Sequence, residues 1–384
     1  MSVRIDVSEF WSSFRNQFPV TRNYAYLNSA GVAPLSAPAA EAMRRYVEEI
    51  STHGATRYSR MLKDVEATRQ SFARLIGAEK DEIAFVANTS DGLSLVANGI
   101  DWKAGDRVLV PDHEFPANVY PWLGLRDQGV EVERIPFTDG CCRPEEIEKH
   151  LPGARLLTVS AVTYANGFRF DLETLGALCK KHGVRFCVDG IQALGVLPID
   201  VKRMQIDYLA ADGHKWLLSP EGAGCFYISR DSLSTLRPSK IGWYNFINEY
   251  DFANIDFTFK PHAGRFEEGT LNVPGLTAFG ASLDFILETG VERISARIKE
   301  LSDQLIVGLK DLGYTIRSPR DGKDWSGIVS FAGDGQDEKR LTAALEAKVF
   351  IAYRNGALRA SPHAFNNQED IDRLLRVLQQ HSPV

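Results

Sequence analysis

The sequence predicts an α/β fold: a mostly parallel sheet flanked by helices in a large domain, followed by a smaller α+β C-terminal domain. Three observations predict it. Short β-rich runs alternate with helical segments from residue 82 to residue 211, and such alternation builds crossover units on a parallel sheet. The runs are continuously apolar, as in strands covered on both faces. Near residue 260 the pattern changes to amphipathic helices mixed with a few short strands. The expected organisation is an arm at 1–20, a large domain at 21–260 and a small domain at 261–384.

In chain order, helices are expected at 40–50 and 62–76, a strand at 82–86 (EIAFV), a helix at 93–98 and a strand at 107–110 (RVLV). A helix at 118–128, a strand at 130–135, a helix at 144–150 and a strand at 156–162 (LLTVSAV) follow. A helix at 172–182 and strands at 186–188, at 208–211 and around Cys225 complete the large domain. The small domain opens on a helix at 290–312, whose Val291, Ile294, Ile298, Leu301, Leu305 and Leu309 recur on one face. A strand at 326–331, a helix at 338–347, a strand at 349–353 and a helix at 367–380 end the chain. Open sheets of this kind bind ligands at the carboxyl ends of their strands, so chemistry is expected just after the runs.

Composition narrows the function classes. The 384 residues carry 44 Lys and Arg against 50 Asp and Glu, a formal charge of −6, which leaves no basic footprint for nucleic acid or an anionic membrane. No stretch reaches the roughly 18 consecutive apolar residues of a membrane span. The opening MSVRIDVSEFW has no apolar core of a signal peptide. The five cysteines, Cys141, Cys142, Cys179, Cys187 and Cys225, are an odd number without a CxxC pair. That pattern suits a reducing cytoplasm and neither a disulfide scaffold nor a metal site.

Three motifs sit at strand ends. Asp212-Gly213-His214-Lys215-Trp216 follows the run at 208–211. Lysines are mostly surface residues, so Lys215 is either a loop lysine or a functional amine. Asp189-Gly190-Ile191-Gln192 follows the run at 184–188. Asp189 is either a helix cap or an anion facing a ring nitrogen. Pyridoxal phosphate needs both groups: a lysine to hold it and a carboxylate to keep its pyridine nitrogen protonated as an electron sink. Asn88-Thr89-Ser90-Asp91-Gly92 lies between the run at 82–86 and an apolar helix. Thr89 and Ser90 are either simple caps or part of a phosphate cup at a helix N-terminus. Neither GxGxxG nor GxxxxGK[ST] occurs, so dinucleotide and P-loop readings have no support.

Together these motifs resemble the class V aminotransferase family, enzymes of pyridoxal phosphate fold type I that include cysteine desulfurases, selenocysteine lyases, kynureninases and isopenicillin N epimerase-like proteins. The resemblance spans about Tyr26 to Leu378. It implies that Lys215 is the Schiff-base lysine, that His214 meets the phosphate, that Asp189 pairs with the pyridinium and that Gln192 bonds the ring's phenolic oxygen. Thr89 and Ser90 match the phosphate-binding pair. Asp212 stands where desulfurases often carry a phosphate-binding serine, and an acid there would repel a dianion. The segment Glu114-Phe115-Pro116-Ala117-Asn118 matches a stretch whose histidine stacks on the cofactor, which makes Phe115 the stacking candidate here.

Three further segments fit the same template. Arg265-Phe266-Glu267-Glu268-Gly269-Thr270 resembles RFEAGT, which implies that Thr270 reaches the cofactor phosphate of a second subunit in a homodimer. Trp243 lies in a segment that approaches the cofactor in some branches. Asn28, in Tyr26-Leu27-Asn28-Ser29-Ala30-Gly31, resembles the loop lining the substrate side. Arg359, in Leu358-Arg359-Ala360-Ser361-Pro362-His363, matches the arginine that binds the substrate α-carboxylate, with Arg354 a second candidate. A planar guanidinium suits that bidentate task.

The resemblance implies an enzyme acting at the α-carbon of an amino acid, with Lys215 as general base. Desulfurases carry a nucleophilic cysteine on a loop before the carboxylate-binding arginine. Here the stretch 349–359 has none, and no cysteine follows Cys225. The expected reaction is therefore that of a lyase or epimerase, with a true aminotransferase as the alternative. A non-catalytic pyridoxal-binding protein on the same fold is the alternative of a different class.

Overall fold

A computed structural model describes residues 7–381; the first six residues of the expected arm lie outside the described residues. The strands are β1 Ala25–Tyr26, β2 Ile83–Val86, β3 Arg107–Pro111, β4 Glu131–Ile135, β5 Leu156–Ser160, β6 Arg185–Asp189, β7 Tyr208–Asp212, β8 Gly224–Ile228, β9 Thr315–Ile316, β10 Val329–Ala332, β11 Val349–Phe350, β12 Ala352–Arg354 and β13 Ala357–Ala360. The helices are α1 Val7–Asn16, α2 Ala37–His53, α3 Tyr58–Ile76, α4 Thr89–Gly99, α5 Tyr120–Leu123, α6 Pro144–His150, α7 Leu172–His182, α8 Val273–Thr289, α9 Val291–Asp311, α10 Asp337–Glu346 and α11 Gln368–Gln379.

The main sheet has seven strands in the order β2-β8-β7-β6-β5-β3-β4. Only β8 runs against its neighbours, β2 and β7; the other pairs are parallel. The apolar runs follow from burial on both faces. Leu157, Val159, Phe186, Val188, Leu209 and Ala211 join one core cluster, and the alternate residues Leu156, Cys187, Tyr208 and Ala210 join another. A strand that packs on both faces has no polar face to show.

The small unit is a four-stranded antiparallel sheet, β12-β13-β10-β9. Helix α9 covers it: Leu301, Leu305 and Leu309 share a cluster with Val329, Phe331 and Leu358. Strands β12 and β13 form a hairpin through Asn355 and Gly356, at φ 48° and 72°. The Asn-Gly pair supplies the positive φ values that a tight hairpin turn requires. Near the N-terminus, β1 pairs in parallel with β11, and Asn28 then bridges Ser361. The early loop 28–34 is thereby carried to the end of β13.

Two of the departures from expectation have a plain physical cause. The helix expected at 118–128 is broken into a turn at Pro116–Asn118, the one-turn α5 and a turn at Arg126–Gln128. Pro121 lacks an N–H and the glycines at 124 and 129 are weak helix formers, so no continuous helix propagates. Helix α8 was not expected at all. It is apolar almost all round, so it lacks the amphipathic period that marks surface helices, and it packs on α2 and α3. By that packing α8 goes with the large sheet, and we place the change of unit between α8 and α9. Among the described residues, no helix is long and apolar enough to cross a membrane.

Candidate active site

Three neighbouring strands of the main sheet, β5, β6 and β7, end on Ser160, Asp189 and Asp212. Lys215 lies three residues past Asp212. Asp189 is 2% exposed, and its carboxylate accepts one hydrogen bond, from the Ile191 N–H at 3.0 Å. Burial pushes that carboxyl up to about 6, with the charge of Lys215 opposing. Burial pulls the Lys215 ammonium down to about 8; Asp189 and Asp212 resist this, while the positive Arg359 and Arg354 add to it. An amine near 8 is close to the working range of a general base. Nζ of Lys215 lies 5.7 Å from the ring centroid of Phe115, whose ring is 43% exposed.

The loop that presents Lys215 is held from several sides. The Gly213 N–H donates to Asp212 Oδ1 at 2.7 Å and to the Ala223 carbonyl at 3.1 Å. A Cβ at Gly213 would stand 2.6 Å from that of Ser219, so a larger residue would force the turn open. Trp216, next to the lysine, is fully buried. Its Nε1 donates to Gln192 Oε1 at 2.8 Å, and Gln192 Nε2 donates to the Ala30 carbonyl at 3.0 Å. Buried His363 sets Nε2 3.3 Å from the Trp216 carbonyl, and burial pulls its imidazole down to about 4. Neutral His363 is thus the donor to that carbonyl. Strand ends, early loop and C-terminal segment meet at Trp216.

The expected phosphate cup lies beside this loop. Helix α4 begins at Thr89, capped by Asn88, whose side chain accepts from the Asp91 N–H. The Thr89 hydroxyl accepts from the Asp212 N–H at 3.0 Å, while Ser90 is exposed in the first turn. Asp212 does not face the cup as a free acid. Its Oδ1 takes the Gly213 N–H and its Oδ2 lies 2.9 Å from His214 Nδ1. That contact is close but out of line for a hydrogen bond, since Nδ1 is without a bonded partner.

Arg359 is 2% exposed. Its Nη1 donates to the Tyr164 carbonyl at 2.6 Å, and its Nε is buried without a partner. Among the described residues no carboxylate pairs with it. Burial and the neighbouring Arg354 pull its guanidinium down to about 10. A buried, unpaired charge is costly and fits a place where a ligand supplies the anion. Asn28, which bridges Ser361, also carries a buried Oδ1 with no partner.

One chain does not bring two expected residues to this cluster. Trp243 is 42% exposed, and its ring meets Tyr244, Tyr250 and Phe252. Thr270 is exposed close by. Conversely, Glu114 belongs to the site and had been given no role. Its carboxyl accepts from the Ser160 N–H at 2.5 Å and from the Ser160 hydroxyl. Burial first, and then Asp189, push it up to about 7. The one available signal was an acid immediately before Phe115.

A buried amine, a buried acid, an aromatic face, a helix N-terminus with a histidine and an unpaired arginine fit a pyridoxal phosphate carrying an amino acid. The profile of the family described as Aminotransferase class-V matches residues 25–377. The chain belongs to that family. The class V chain is 30% identical to the "Probable cysteine desulfurase" of Methanothermobacter thermautotrophicus, covering 95% of this chain and 96% of the relative. It is 28% identical to the isopenicillin N epimerase of Streptomyces clavuligerus, covering 96% and 97%. Among solved structures, an apo cysteine desulfurase from Thermococcus onnurineus superposes with a TM-score of 0.90 at 27% identity, covering 96% and 97%. A cystine C–S lyase in complex with its product cysteine persulfide superposes with a TM-score of 0.89 at 26% identity, covering 96% and 100%.

Proposed function

We propose that this class V enzyme holds pyridoxal 5'-phosphate on Lys215 and acts at the α-carbon of an amino acid, as a lyase or epimerase in preference to a transaminase. The observation that carries the reading is the pairing of buried Lys215 with buried Asp189 beside an arginine that has no anion of its own. Bound, the cofactor supplies an electron sink for the pair released at the α-carbon.

The protein residues then divide the work. Arg359 takes the substrate carboxylate in its guanidinium fork and fixes the α-carbon, with Asn28 on the same side. The Lys215 amine, pulled down by burial, accepts the α-proton. Asp189 holds a proton on the ring nitrogen, and Phe115 covers the ring face. The Gln192 amide gives one N–H to Ala30 and has a second for the phenolic oxygen. Thr89, Ser90 and His214 hold the phosphate at the start of α4, with Asp212 behind His214. Thr270 and Trp243 serve the other subunit of a homodimer, which places the sites at the interface. The cytoplasm is the expected compartment.

The preference for lyase or epimerase chemistry rests on the thiols. Desulfuration by the family route needs a reactive thiolate. Stretch 349–359 has no cysteine. Cys142, Cys179, Cys187 and Cys225 are buried; burial raises all four thiols, that of Cys142 to about 12. Cys141 is also raised.

A panel of amino acids, scored for pyruvate, for keto acid with an amino acceptor and for loss of optical rotation, tests the assignment. Elimination or loss of chirality without an acceptor is expected. Sulfide release from cysteine through a protein persulfide contradicts it.

A further inference from the structure

We propose that Tyr164 is a positioning residue that sets Arg359 for the substrate carboxylate; this rests on the function proposed above and adds a residue to it. Tyr164 follows β5 and touches three segments. Its backbone carbonyl accepts the Arg359 Nη1 hydrogen bond at 2.6 Å. Its hydroxyl donates to Asn355 Oδ1 at 3.0 Å. Its ring meets Phe115 edge-on, with centroids 5.2 Å apart and planes at 75°. One side chain thus joins the aromatic wall beside Lys215 to the hairpin that carries Arg359.

The geometry also selects which edge of the guanidinium is presented. Nη1 is committed to the Tyr164 carbonyl, whereas Nε is buried and unpartnered. The remaining Nε and Nη2 donors form one parallel-bonding edge, which matches the two oxygens of a carboxylate. Bidentate binding requires that this edge be fixed in plane. The turn residue Asn355 sits at φ 48°, and the Tyr164 hydroxyl ties it back to the large unit. Loss of that tie frees the hairpin without removing Arg359 itself.

Two variants test this in the pyridoxal phosphate-loaded protein. Tyr164→Phe keeps the ring and removes the hydroxyl. Asn355→Gly removes the acceptor and suits the positive φ, so it does not strain the turn. The probes are L-alanine and ethylamine, which differ by the carboxylate. Each probe amine takes the place of the Lys215 amine on the cofactor's aldehyde carbon, imine for imine, releasing Lys215 as a free amine. The readout is the absorbance change of the bound cofactor during titration. Both variants are expected to bind L-alanine roughly 3- to 10-fold more weakly, the scale of one hydrogen bond, with ethylamine affinity unchanged. Equal weakening of both probes, or of neither, overturns the proposal. A wild-type protein that takes up no pyridoxal phosphate on Lys215 refutes the underlying function instead.

Discussion

The ends of β5 to β7 and the segment from Ile241 to Thr270 make opposite use of burial. Around Lys215 the functional groups are enclosed, and most are tied to backbone: Asp189 to Ile191, Gln192 to Ala30, Glu114 to Ser160. Along the other segment Ile241, Trp243, Tyr250, Phe252, Ile255 and Phe257 stand in solvent, Ile255 at 90% exposure. Large apolar side chains grouped this way mark an interaction surface. The contrast separates groups that one chain encloses around Lys215 from Trp243 and Thr270, which it leaves exposed and which the proposed homodimer would bring to a second site. Burial tunes the first region's amine and acids; association would finish the second.

Four experiments break or sharpen that contrast. The largest effect is expected from Arg359→Ala, which removes the guanidinium from the enclosed region. It should lower kcat/KM by about 100- to 1000-fold, the scale of a lost buried charge contact, as read by steady-state kinetics on the substrate found by the panel. Next, Phe252→Glu with Ile255→Glu puts charge on the exposed segment. Sedimentation should show a wild-type dimer and a variant whose dissociation constant rises by about 100-fold or more. A wild-type chain that stays monomeric at high concentration removes the reason for the exposed surface.

Glu114 gives a pH test confined to the enclosed region. Its carboxyl is raised from 4.5 to about 7 in the fold, so its stabilising contribution is fully present below about 4.5 and is lost as pH rises through about 7. Glu114→Gln cannot ionise and loses nothing across that window. The wild-type stability minus that of the variant should therefore fall between pH 4.5 and 7.5, by about 3 kcal/mol at most, in urea melts of the cofactor-free protein. A difference that is flat with pH contradicts the burial of this acid. The smallest effect is expected from Ser90→Ala at the exposed first turn of α4. It should weaken pyridoxal phosphate binding about 3-fold by loss of one hydrogen bond, measured by absorbance titration.

Much of the enclosed region was legible because its residues lie in short contiguous motifs at strand ends. Asp189 and Gln192 are three apart, and Asp212, His214 and Lys215 are almost adjacent, so the motifs stood out locally, and the family resemblance supplied the expected role of each. Glu114 and Tyr164 were not legible as site residues. Their importance comes from Ser160, Asn355 and Arg359, which lie 46, 191 and 195 positions away, and no local period encodes such contacts. Helix α8 was hidden for a different reason: burial on all sides removes the amphipathic period. The break at 118–128 shows the reverse, a helical-looking stretch stopped by Pro121 and flanking glycines. Asp212 looked misplaced beside a phosphate until its carboxylate was seen to turn toward Gly213 and His214.

The most direct measurement of the central claim is the visible absorption of the protein after loading with pyridoxal phosphate, compared with Lys215→Ala treated alike. The account predicts a visible band from lysine-bound cofactor in the wild type, abolished by borohydride, which reduces the imine to an amine and leaves the cofactor covalently on the peptide that contains Lys215, and no such band in the variant. A protein that stays colourless, or one whose band survives the loss of Lys215, contradicts it.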